Sequence, residues 1–253
     1  VLCVLWEPFI DIPVAVIQQN GHQEVMPLSM LIFEALGNLK ATSTLRVPSQ
    51  VASHLQKALR SAKKYSGVDA YDIIEFIAAL DWCTGSVTMA GNSWVATTQW
   101  VAAIQKPPSL KCIAPWEGFT DKYRDVVYRG AIPKRDFVSF IFDKTIRGRQ
   151  KREDLAKALD QWPLMNAYWE DKALDTSVID IPIYVLASYC SGIHVPGSIR
   201  GFNSAKTKDK WLRIHLVQEW FDLYRKESID DLQKFFDRYV KGLDNGWEKT
   251  SPV

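Results

Sequence analysis

From Ser66 onward the chain alternates between two hydrophobic periods. In "DAYDIIEFIAAL", Ile73, Phe76, Ile77 and Leu80 fall on one helical face, and Asp69 is placed to cap it. "GSVTMAG" is a short apolar run opened and closed by glycine, which predicts a strand. "SWVATTQWVAAIQK" predicts a helix stopped by Pro107 and Pro108, and "LKCIAPW" the next strand. "IPIYVLAS" and "KWLRIHLV" read as two further strands. The last helix opens on a capping pattern from Ser228 to Asp231, aligns Ile229, Leu232, Phe235, Phe236, Tyr239 and Val240, and ends near Gly242. The tail "DNGWEKTSPV" reads as a linker. Before Ser66 the pattern is harder to parse. "VLCVLWEPFIDIP" suggests a strand, and "PLSMLIFEALGNL" and "SQVASHLQKALRSAKK" suggest helices punctuated by Pro27 and Pro48.

Strand and helix in alternation predict an α/β fold: a mostly parallel sheet with helices on both faces. Residues 119 to about 175 break the alternation with aromatic and charged residues and one plain helix, "REDLAKALDQW". They read as an insertion, and insertions of this kind sit over the carboxyl ends of the strands, where α/β sheets bind ligands.

Composition narrows the classes. A chain of 253 residues with 47% hydrophobic and 24% charged residues has the makeup of a globular protein. A net charge of +2 argues against nucleic acid or an acidic membrane as partner, and no apolar run reaches membrane-spanning length. "RGRQKRED" mixes bases with acids and reads as a solvated helix start. Cys3, Cys83, Cys112 and Cys190 are widely spaced without a CxxC pair, so neither a zinc site nor a disulfide framework is indicated, and the cytoplasm is the default location. The apolar start carries Glu7 and Asp11 and no basic leader, although an upstream leader removed from the chain would leave the same start.

The chemistry centres on "VTMAGNSWVATTQW". A strand, a Gly-x-Ser turn and a helix form the context of a nucleophile elbow. The turn would lift the Ser93 hydroxyl above the sheet and aim the Trp94 N–H at a developing oxyanion. The plain alternative is that Ser93 caps the helix. Val95 stands where the usual Gly-x-Ser-x-Gly motif has its last glycine.

Together "YDIIEFIAALDWCTGSVTMAGNSWVATTQW", "PPSLKCIAPWEGFTDKYRDVVYRGAIP" and "KWLRIHLVQEWFDLY" resemble the X-Pro dipeptidyl-peptidase and cocaine-esterase-like group of serine α/β-hydrolases, with its fungal hydrolase members most similar. The resemblance covers residues 66–253 and leaves residues 1–65 poorly matched. It implies one α/β-hydrolase domain over residues 1–253, a helical cap over about 119–175, and a C-terminal β-sandwich at whose start this chain stops. The face under such a sandwich is expected to be apolar, around the tail and the final helix, and to favour self-association into homo-oligomers. No cofactor or metal is implied.

The resemblance carries Ser93 over as nucleophile. In the family's aspartate slot, within "ASYCSGIH", stands Cys190, for which a buried structural role is the plain reading. In the family's histidine slot stands Glu219, with His215 four residues earlier. His215 is the first candidate base and His194 the second. Glu117, at the end of "APWEG", is the candidate acid, unless it pairs with Arg124 of the cap. An early Pro-Tyr step that supplies an oxyanion donor is here Pro8-Phe9, and of the family's glycine-rich turn Arg60 and Gly67 remain. Trp116, Phe119, Tyr123, Tyr128, Trp162 and Tyr168 are candidate pocket walls, or cap core. Two functions follow. One is a serine hydrolase cleaving an ester or amide of a small molecule or peptide. The other is an impaired or repurposed scaffold that binds a small molecule or partner.

Overall fold

The computed structural model describes the backbone of strands 2–5, 14–19 and 22–27, and residues 65–81, 83–141 and 154–253. The helices expected after Pro27 and over 49–64 lie outside these residues, as do Phe9, His54 and Arg60. Seven strands form one sheet: β1 (Leu2–Leu5), β2 (Val14–Gln19), β3 (His22–Pro27), β4 (Val87–Asn92), β5 (Leu110–Trp116), β8 (Ile183–Ser188) and β9 (Lys210–His215). Their spatial order is β3-β2-β1-β4-β5-β8-β9. The pairs β1–β4, β4–β5, β5–β8 and β8–β9 are parallel, while β1–β2 and β2–β3 are antiparallel.

The two-residue period of a strand explains why β5 and β8 read as unbroken apolar runs. Ile113, Ile183 and Val185 face one helical layer, with Ile74 of α1 (Tyr65–Ala78), Trp100 of α2 (Trp94–Ile104) and Phe202 of α6 (Val195–Ser204). Cys112, Ala114, Trp116, Tyr184 and Leu186 face the other layer, with Leu232, Phe235 and Phe236 of α8 (Lys226–Lys241). Both faces of these strands are therefore core, as the α/β reading requires.

Between β5 and β8 the chain leaves the sheet. Residues 122–127 form a π-helix, Tyr128–Arg129 (β6) and Ile132–Pro133 (β7) a short ribbon, and α3 (Arg135–Phe140), α4 (Leu155–Gln161) and α5 (Ala167–Glu170) follow. Phe119, Val126, Val127, Val138, Leu155, Leu159 and Trp169 give this insertion its own core. Its two ends are stitched together: the Lys122 N–H donates to the Lys172 carbonyl at 3.4 Å and the Leu174 N–H to the Thr120 carbonyl at 2.8 Å.

Several local expectations are corrected. The first described helix begins at Tyr65, so Asp69 lies inside it and not at its start. α8 starts at Lys226, which places Ser228 inside the helix. There its hydroxyl donates to Asp222 at 3.2 Å and accepts from Arg213 at 3.1 Å, a buried bond in place of a cap. α8 does end at Gly242, in the left-handed conformation that suits a C-terminal glycine. The tail is no loose linker. Trp247 is fully buried against Tyr184, Trp211 and Phe235, and the Leu212 N–H donates to the Pro252 carbonyl at 2.9 Å. Ile229, Leu243 and Val253 are exposed on α8 and the tail, and further exposed apolar residues, Leu216, Val217, Phe221 and Tyr224, lie on the loop after β9 and around the short α7 (Glu219–Leu223) that follows. No described helix is long and apolar enough to cross a membrane.

Candidate active site

Four strand ends converge: β4 at Asn92, β5 at Trp116, β8 at Ser188 and β9 at His215. Ser93, the first residue past β4, has φ 58° and ψ −118°, in the left-handed region that a non-glycine residue avoids. Its side chain makes no capping hydrogen bond to α2, so the helix-cap reading fails. Holding a serine in such a conformation costs about 1–3 kcal/mol, which surrounding structure must offset. Part of that support is visible. The Ser93 N–H donates to the Glu117 carbonyl at 3.2 Å, and its own carbonyl starts α2 by accepting from the Thr97 N–H at 3.0 Å. Trp94 is the first residue of α2, and a helix leaves its first amides without intrahelical partners. Glu117 is itself left-handed, with φ 65°. Two strained residues thus stand side by side, joined by a backbone hydrogen bond.

Beyond them is a buried polar cluster. His215 Nε2 lies 2.6 Å from Glu117 Oε1, and both side chains are almost fully buried. This unites the two residues expected as base and acid, and Glu117 does not pair with Arg124, which bonds Asp121. A second pair lies beside it. His194 Nδ1 is 2.7 Å from Glu219 Oε2 and 3.1 Å from the Ser191 hydroxyl. Polar atoms of Glu117, His194 and Glu219 all lie within 4.8 Å of one another. The 2.7 Å contact is a hydrogen-bond distance. Two ligands of a tetrahedral zinc, each about 2.0–2.1 Å from the ion, would stand about 3.3 Å apart.

Electrostatics separate the two pairs. Burial pushes the Glu117 carboxyl far above the usual carboxylate range, and the Glu219 carboxylate and Asp222 push it the same way against Arg213. For Glu219 burial is the largest influence and opposes ionisation, but hydrogen bonding and attraction from His194, with help from Glu117 and Asn92, hold it well below that range. Burial lowers His215 as well, with Arg213 adding and Asp222 opposing. Burial thus disfavours the charged forms of both Glu117 and His215, whereas the contact with His194 favours the ionised form of Glu219.

The remaining candidates fall elsewhere. Trp116 is fully buried on the α8 side of the sheet, edge-on to Tyr184, so it is core and not a pocket wall. Phe119 packs against the Trp94 ring at 5.4 Å, and Tyr123 stacks between Tyr128 and Trp169 with its hydroxyl on the Pro163 carbonyl. Trp162 and Tyr168 also pack in the cap core, with ring centroids 4.5 Å apart. Cys190 is exposed, not buried; its thiol donates to the Leu216 carbonyl at 3.2 Å. A cavity lined by Lys106, Pro107, Leu110 and Asp180 opens at the opposite ends of the strands, away from this chemistry. Sequence reasoning gave Asn92 no part, although it is a buried polar residue on an otherwise apolar strand and lies against Glu219.

The N-terminal turns of α2 and α6 meet across Gly118. A Cβ at Gly118 would lie 2.8 Å from Ala96 Cβ, and one at Gly197 would lie 2.5 Å from Phe119 Cα and 2.8 Å from the Thr120 N. Because the obstacle at Gly197 is backbone, Gly197→Ala is expected to destabilise the protein by about 1–3 kcal/mol, read from its urea midpoint. A neutral result would show that α6 can retreat freely from residues 119–120.

A mostly parallel sheet wrapped by helices, with a left-handed serine between a strand and a helix, defines the α/β-hydrolase class. The family pattern of the X-Pro dipeptidyl-peptidases (S15 family) matches residues 59–220, and the chain belongs to that family. A CocE/NonD family hydrolase from Staphylococcus aureus is 35% identical and superimposes with a TM-score of 0.71 over 76% of this chain and 35% of its own. The cocaine esterase of Rhodococcus sp. (strain MB1 Bresler) is 43% identical over 56 residues, which are 22% of this chain and 10% of that enzyme. An aminopeptidase from a marine sediment Thaumarchaeota archaeon shares the fold, with a TM-score of 0.57 at 13% identity over 74% of this chain and 42% of its own. The chain thus spans about a third of the staphylococcal structure and a tenth of the curated esterase.

Proposed function

We propose that the protein is a serine hydrolase that cleaves an ester or amide bond of a small molecule or peptide through an acyl-enzyme. The observation that carries this is the left-handed Ser93, whose hydroxyl caps nothing. Ser93 Oγ adds to the carbonyl carbon while an imidazole takes its proton. The oxyanion accepts from the Trp94 N–H. The leaving alcohol or amine departs with the proton, and water then hydrolyses the ester on Ser93. Cys83, Cys112 and Cys190 are free thiols, which suits a reducing compartment such as the cytoplasm.

One observation favours the second reading, a scaffold that binds without cleaving. Among the described residues, the free imidazole nitrogens, His194 Nε2 and His215 Nδ1, have no hydrogen-bond partner, so neither holds the Ser93 hydroxyl. Catalytic hydrogen bonds are often loose without substrate, so this does not displace the hydrolase reading. A fluorophosphonate probe followed by peptide mapping separates the two. The expected result is one adduct, on Ser93. A folded protein that stays unlabelled would favour the scaffold.

A further inference from the structure

We infer that the base serving Ser93 is His194, held by Glu219, and not the His215–Glu117 pair beside it. The inference rests on the hydrolase reading and names the proton carrier within it.

Three observations converge. The first is connectivity of the imidazoles. His194 uses Nδ1 for Glu219 and leaves Nε2 buried and unpartnered. His215 uses Nε2 for Glu117 and leaves only Nδ1, the nitrogen next to its own backbone. A base that relays a serine proton has its carboxylate on Nδ1 and its free nitrogen at Nε2.

The second is position. His194 immediately precedes α6, and the Ser198 N–H closes that first turn on the His194 carbonyl at 2.8 Å. The Ser198 hydroxyl donates to the Gly118 carbonyl at 3.1 Å. Gly118 lies against the first turn of α2, which begins directly after Ser93. Thr97 in that turn donates to the Phe119 carbonyl at 3.0 Å, and Ile193 packs in the same cluster as Trp94 and Phe119. His194 and Ser93 therefore begin two helices that touch at a common residue. Glu219 in turn lies against Asn92, the residue before Ser93.

The third is charge. An imidazole that accepts a proton needs an ionised carboxylate behind it. Despite its burial, Glu219 is held below the usual carboxylate range by its bond to His194, whereas burial and the neighbouring Glu219 push Glu117 above that range and disfavour a negative charge behind His215. The family's slots are thus exchanged in this chain: the acid stands after β9 and the histidine after β8. Cys190 at the former aspartate position has no carboxylate to supply.

The step balances without further reagents. The Ser93 proton passes to His194 Nε2 as Oγ bonds the carbonyl carbon, and the imidazolium returns it to the leaving group. Glu219 stays ionised and acts as a positioning residue.

The test is the rate of fluorophosphonate labelling at Ser93. His194→Ala is expected to lower it by about 10²–10⁴-fold, and His215→Ala by less than about tenfold. Glu219→Gln is expected to slow labelling, and Glu219→Asp, which keeps the carboxylate, to restore part of the rate, a difference that mere loosening of the fold would not produce. If His194→Ala does not fold, His194→Gln, which keeps an amide donor for Glu219, gives the same reading. Wild-type protein that labels normally, with His215→Ala slowed as severely and the His194 variants within tenfold of wild type, would overturn the inference and leave the hydrolase reading intact. Unlabelled wild-type protein would instead end the hydrolase reading itself.

Discussion

Ser93→Ala is expected to abolish probe labelling and to cut turnover of an activated aryl ester by about 10⁴–10⁶-fold, on the scale of losing a serine nucleophile elsewhere. Stability should hardly change. The Ser93 side chain caps no helix, so its removal leaves no amide unpaired, and a surface-like change of this kind stays within about 0.5 kcal/mol. A companion variant sharpens the point. Ser93→Gly is equally inactive but lifts the conformational penalty at φ 58°, and glycine adopts that backbone freely. It should be more stable than wild type by up to about 1 kcal/mol, since part of the 1–3 kcal/mol of strain is returned and part is lost to the freer unfolded chain. An inactive protein that melts higher than its parent would show that the fold carries a strained residue for its chemistry. Ser93→Ala with undiminished turnover, measured on protein free of host esterase, would remove Ser93 from the reaction.

The largest structural effect is expected at Trp247. Its ring is fully buried and meets Tyr184, Trp211 and Phe235 at centroid distances of 5.1, 5.4 and 5.3 Å. Trp247→Ala removes an aromatic from a close-packed site and should cost about 3–5 kcal/mol in urea unfolding. The adjacent Glu248 gives a control, since it is partly exposed and only pairs with Arg238. Glu248→Ala should cost no more than about 1 kcal/mol. Equal effects at the two positions would mean that the tail does not belong to the core.

The central sheet was legible because β4, β5 and β8 are buried on both faces, which writes their apolar character without interruption into the sequence. The Gly-x-Ser turn was legible because its neighbours announce a strand before and a helix after. Pairing across the site was less legible. Glu117 and His215 are 98 positions apart, and their contact depends on β5 and β9 ending at one level. His194 immediately precedes α6 and Glu219 opens α7, and no periodicity encodes the approach of these two helix starts, so the second pair surfaced only as a misplaced family slot. Trp116 misled for a different reason. In a strand buried on both sides, one residue more or less of register decides whether a side chain faces the pocket or the core. The tail misled because "DNGWEKTSPV" has the composition of a linker, and one tryptophan outweighs it.

The stitched base of the insertion has a consequence for divergence. Residues 120–122 and 172–174 meet as neighbours before the chain returns to the sheet, so everything between them hangs from a closed neck. Such a segment can be lengthened, shortened or exchanged like a cassette without shifting the register of β5 against β8. Relatives can then change what they admit to the serine while the frame that bends the backbone around it stays fixed.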